Sequence, residues 1–216
     1  MIPIIFTQIE ALGGQVAVRN GSLREQLESI HFSVSLYDHE WGYHGFDEVL
    51  EKQKQAPKTK TVFERMADQY LLAGGDQPYG QNFWCANYFA PMTPGSVDYD
   101  EWAELINDPR YTNWSEIRKV VGEGPLEFIQ IIYSYGYPDH YYICLNDPNP
   151  DNPMVFGTDH EVMFDEVTNY GPLESFLGTF WTRPQFIEVL SVAEEKLANE
   201  SAAVEQWLAD RKASRN

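Results

Sequence analysis

A chain of 216 residues is long enough for one large domain or two small ones, with a sizeable buried core. Its 43% hydrophobic and 14% aromatic residues are those of a folded globular protein and exclude a disordered one. The 33 acidic residues against 15 basic ones give a formal net charge of −18, the wrong sign for a general affinity toward nucleic acid or an anionic membrane surface.

The opening IPIIFTQI reads as a strand, and Ser22 with Glu25 makes a capping box for a helix from Leu23 to about Ile30. Phe32, Val34 and Leu36 then alternate with Ser33, Ser35 and Tyr37, the period of a half-buried strand. Helices are predicted over Phe46 to Gln55 and Val62 to Ala73, separated by the basic loop QAPKTKT, with Gly74 and Gly75 closing the second. Asn82 to Ala90 is an aromatic strand, PMTPGS a loop, and a short helix runs from Asp98 or Tyr99 to about Asn107.

Asn113 with Glu116 predicts a cap and box for a helix from Trp114 to Val121, closed by Gly122 and Gly124. Leu126 to Tyr135 and Tyr141 to Asn146 read as a hairpin about GYPDH. The tight loop DPNPDNP leads to a third strand, Met154 to Gly157, which makes residues 126–157 an antiparallel meander. Pro172 opens a short helix over LESFLGTFW. From Pro184 onward Phe186, Leu190, Ala193, Leu197, Val204 and Leu208 recur at helical spacing, a long C-terminal helix able to pair with a second copy of the chain.

The charge is uneven. Residues 66–182 hold 18 acids and only Arg110, Arg118 and Lys119 as bases, and from Val120 to Thr182 there is no Lys or Arg. Acids interleaved with tyrosine and phenylalanine in that stretch describe a protein-binding face, because tyrosine supplies rigid apolar area and carboxylates steer a basic partner. The competing reading is a solvated acidic surface that serves solubility.

Catalytic signatures are weak. Asp38, His39, Glu40 and His44 form one local set of nitrogen and oxygen ligands and Asp159, His160 and Glu161 another, yet neither has the HExxH spacing that puts two imidazoles on one helix face. Hydrogen-bonded surface histidines are the expected reading, and neither a metal nor another cofactor is expected. Cys144 with His160 and Asp147 sketches a thiol-protease-like set, but a mid-strand cysteine among acids is a small hydrophobe rather than a nucleophile. LAGGDQPYG and VGEGP match neither GxGxxG nor GxxxxGK[ST], and carboxylate pairs discriminate nothing in a chain with 33 acids. Cys85 and Cys144 give no metal or disulfide framework. MIPIIFTQIEALGG lacks the basic flank and long apolar run of a signal peptide, and no stretch approaches the roughly 18 apolar residues of a membrane helix. A soluble cytoplasmic protein is therefore expected.

YYICLNDPNPDNPMVFGTDHE followed by PLESFLGTF resembles the SUKH superfamily, the Smi/Knr-type domain of immunity proteins in bacterial polymorphic toxin systems. The ordered features are a strand over Asp139 to Cys144, an acidic loop, a strand ending near Gly157, then Asp159, His160 and Glu161, and the helix of Glu174, Ser175, Phe176 and Leu177. FERMADQYLLAGG is a weaker echo of a family helix before a Gly-Gly turn. The resemblance implies an α+β fold, a central mostly antiparallel sheet flanked by helices, with a SUKH-like domain over 61–182 between an N-terminal segment (1–60) and the C-terminal helix (183–216). It also implies a non-enzymatic role, neutralising a cognate protein toxin. The partner-binding residues expected on the acidic, aromatic face are Asp139, Tyr141, Asp147, Asp151, Asp159, Glu161, Asp165 and Glu166. The alternatives from other classes are a hydrolase with a carboxylate, histidine or metal site in residues 139–166, and a dimerising adaptor.

Overall fold

The computed structural model describes residues 1–37, 82–90, 112–135 and 139–186, with Gly95, Tyr99, Glu188 and Gln206. The helices expected at 46–55, 62–73 and 98–107, the loops at 55–61 and 91–96, the DHEWGYH cluster and the GYPDH turn lie wholly or largely outside these residues. So does the long C-terminal helix, apart from 183–186, Glu188 and Gln206.

The chain is α+β. Strands β1 (Gly14–Val16) and β2 (Ile30–Phe32) form a small antiparallel sheet. Strands β3 (Asn82–Phe89), β4 (Phe128–Ser134), β5 (His140–Cys144), β6 (Met154–Thr158) and β7 (Val167–Pro172) form a five-stranded antiparallel sheet in sequence order. The predicted meander is its centre; β7 is an added edge.

Helices α1 (Pro3–Ala11), α2 (Leu23–Glu28) and α4 (Leu173–Leu177) share one core with a face of this sheet. Ile5, Phe6, Ile9 and Leu12 share one cluster with Ile129, Ile132, Ile143 and Val155, and Leu173, Phe176 and Leu177 belong to it too. The opposite face is covered by α3 (Ser115–Val121) and the 3₁₀ turn Met163–Asp165, which build a second cluster of Ile117, Leu126, Phe128, Tyr142, Phe156 and Phe164. With both faces covered, β4 reads FIQIIYS rather than as a clean polar alternation.

Several local expectations are corrected. The first segment is a helix, not a strand: Pro3 supplies a preset φ at the first turn, and the buried Ile5, Phe6, Ile9 and Leu12 follow the 3.6-residue period. The Ser22–Glu25 capping box forms as expected, but α2 stops at Glu28 and Ile30 enters β2. The Phe32 to Leu36 strand is divided, since β2 ends at Phe32 and Leu36 bridges separately to Asn82. Ser35, Leu36 and Tyr37 are all buried there, which ends the alternation. Asn113 does not cap α3. Its Oδ1 accepts the Ser115 N–H at 3.1 Å one step early, and Glu116 pairs with Lys119 instead of closing a box. Gly122 does end that helix, at φ 73°.

Candidate functional site

The ladder registers place the acidic residues. His140 pairs with Thr158 and Thr158 with Val167, so Asp139, Asp159 and Glu166 each lie one residue beyond the ladder, side by side at one end of the sheet. Tyr135 flanks them, because the Ser134 N–H donates to the Asp139 carbonyl at 3.0 Å across the β4–β5 hairpin. Glu161 and Asp165 belong to the segment that leaves β6 and returns into β7. Phe164 pins that segment to the sheet, its ring 5.3 Å from Tyr142 and 4.9 Å from Trp114.

Side-chain exposure is 40% for Asp139, 57% for Asp159 and 77% for Glu161; Asp165 and Glu166 are also exposed. Tyr135 is 47% exposed. Five of the eight expected residues thus stand on one acidic rim with an aromatic neighbour.

The other three do not join it. Asp147 and Asp151 lie in the β5–β6 loop, at the opposite end of five-residue strands, roughly 17 Å away. Asp151 is exposed and sits 3.7 Å from the Met1 ammonium. Asp147 is buried, and its two oxygens accept the Asn149 N–H at 2.8 Å and the Met154 N–H at 2.9 Å. Its place in the binding face is corrected: the carboxylate closes a turn. Tyr141 also stands apart from the rim, half-buried on the α1/α4 face with ring centroids 5.2 Å from Tyr170 and 5.1 Å from Phe176.

On the rim, His160 lies between carboxylates. Its Nδ1 is 3.4 Å from Asp159 Oδ1 and 3.6 Å from Asp139 Oδ1, and its Nε2 is 4.0 Å from Glu161 Oε1. Asp139 stands immediately before β5, so the sequence-local set of Asp159, His160 and Glu161 was incomplete. His140, one residue away, sits with Nδ1 2.7 Å from Gln130 Nε2. Burial holds its imidazole below the ordinary value, the Asp139 carboxylate opposing this and His160 adding to it.

Cys144 is fully buried and its Sγ donates to Asn146 Oδ1 at 2.7 Å. Burial pushes both its thiol and that of Cys85 up to about 11. At pH 8 such a thiol carries roughly a hundredth of the thiolate of one titrating near 9, so iodoacetamide should label the folded chain at least about 100-fold more slowly than free cysteine. Mass spectrometry of a labelling time course checks this; rapid labelling of Cys144 would contradict its burial. Because the folded thiols bind their protons more tightly than the unfolded ones, their contribution to stability is present below about pH 9 and is lost as pH rises toward 11.

Among the described residues no helix is long and apolar enough to cross a membrane. No family model, no curated protein and no solved structure matches this chain.

Proposed function

We propose that the chain is a non-enzymatic binding protein that neutralises a basic protein partner, a cognate toxin domain such as a nuclease, through the acidic rim. The carrying observation is the row of exposed carboxylates at the ends of β5, β6 and β7, set in a stretch with no Lys or Arg from Val120 to Thr182. A field of one sign speeds docking of a basic surface, and the phosphate-binding groove of a nuclease is such a surface. Tyr135 beside the row adds the apolar area that charges lack. The resemblance to toxin-immunity domains supports the same reading, and a cytoplasmic location follows from it.

The test begins by immobilising the full chain, passing lysate of its source cells at low salt, and purifying a basic protein that elutes stoichiometrically with salt. Its association rate with the triple variant Glu161→Gln, Asp165→Asn, Glu166→Gln should fall about tenfold or more at low ionic strength, and its salt dependence should flatten. Asp151→Asn, at the far end of the sheet, should leave the rate unchanged. The reading is wrong if no such partner is retained, or if the partner binds the triple variant as it binds the parent at every salt concentration.

A further inference from the structure

The rim holds a second arrangement that partner binding does not use. Register sets Asp139 and Asp159 opposite one another just beyond the His140–Thr158 pair, and like charges so placed on neighbouring strands repel. Among the described residues no Lys or Arg pairs with either carboxylate. What faces both is the Nδ1 atom of His160, and one donor atom from each of the three residues lies within 4.8 Å of the others.

The spacing is not that of a hydrogen bond. A charge-assisted imidazole–carboxylate bond brings its atoms to about 2.7–2.9 Å, whereas Nδ1 here is 3.4 and 3.6 Å from the two oxygens. In a tetrahedral site with ligand bonds of about 2.1 Å, neighbouring ligand atoms are about 3.4 Å apart. Both nitrogen–oxygen edges of the triad have about that length, and the two carboxylate oxygens lie within 4.8 Å of each other. Charge agrees as well, since two carboxylates and a neutral imidazole sum to −2. A nitrogen donor with two oxygens suits zinc and its first-row neighbours better than calcium or magnesium, which take all-oxygen sets.

We propose that Asp139, Asp159 and His160 bind a divalent cation of the zinc class, leaving a fourth position for water or a partner's side chain. The site is fixed by the β5–β6 register rather than by a local motif. The ion would tie the His160 loop to the start of β5 and remove the repulsion between the two aspartates.

The test uses the full chain, stripped with chelator, dialysed, and titrated calorimetrically with Zn²⁺ in the absence of any partner. One ion per chain is expected. Co²⁺ should give the intense visible bands of a four-coordinate complex. Asp139→Asn, Asp159→Asn and His160→Gln should each weaken binding by about tenfold or more, with metal-free far-UV dichroism unchanged. His31→Gln and the double variant His39→Gln, His44→Gln should bind as the parent does. Absence of both heat and cobalt bands at roughly tenfold excess of metal overturns the proposal. So does binding that survives loss of all three ligands, or that is lost in the His39/His44 variant. Because the titration contains no partner and the partner test spares all three ligands, either reading can fail alone.

Discussion

Phe128→Ala should lower the unfolding free energy by about 3–5 kcal/mol, a large part of the 5–15 kcal/mol that holds an ordinary domain together. Phe128 is fully buried at the start of β4, with ring centroids 5.3 Å from Phe89, 6.0 Å from Trp114, and 6.2 Å from both Tyr142 and Phe164. Those rings come from β3, β5 and the segments before α3 and β7, so no single neighbour can move into the space that alanine leaves. Phe128→Leu, which keeps most of the volume, should cost less than half as much. Urea denaturation of the three proteins measures both. A loss under about 1 kcal/mol for the alanine variant would show that the α3 side of the sheet is not part of the cooperative core. The same cluster seats Phe164, and Phe164 seats Asp165 and Glu166, so the acidic rim depends on a packing layer that carries no charge.

Much of the sheet was legible because its strands are short, apolar and bounded by proline, asparagine and glycine. The meander from β4 to β6 and the aromatic strand β3 follow directly from those signals. Two elements were not legible, for opposite reasons. In α1 the isoleucines favour a strand by propensity, while Ile5, Phe6, Ile9 and Leu12 favour a helix by period; burial of that stripe in the shared core decides for the helix. Strand β7 (VTNYGP) is a mostly exposed edge, with Gly171 at φ 85° beside a bulge and Pro172 at its end, so it has neither alternation nor an apolar run to announce it.

The acidic stretch was legible in composition, but its division was not. Counting places Asp147, Asp151, Asp159 and Glu161 in one segment; an antiparallel ladder sends alternate loops to opposite ends of the sheet and separates them in pairs. The converse holds for Asp139 and Asp159, which are 20 positions apart in sequence and meet only because His140 pairs with Thr158. Nor was the cap of α4 visible. Pro172 offers it no side-chain acceptor, and Asn152 supplies one from the β5–β6 loop, accepting the Glu174 N–H at 3.0 Å.

That loop carries the second large effect. Asp147→Ala should destabilise the chain by about 2–4 kcal/mol, because it removes a buried carboxylate from two backbone N–H groups and leaves both without their acceptor. Asp147→Asn keeps one acceptor for Asn149 but turns an amide N–H toward the Met154 N–H, so it should recover only part of the loss. Glu161→Gln, an exposed acid 14 positions on, should change stability by less than about 0.5 kcal/mol. Equal urea midpoints for Asp147→Ala and Glu161→Gln would refute the division of the acids into turn-closing and solvent-facing groups. The expected inequality has a structural side. DPNPDNP holds the start of β6 through Asp147 and the start of α4 through Asn152, with the Leu173 N–H on the Pro153 carbonyl at 2.8 Å. Asp147 is thus constrained by stability, whereas the exposed Glu161 at the other end of the same strands closes no turn of this kind.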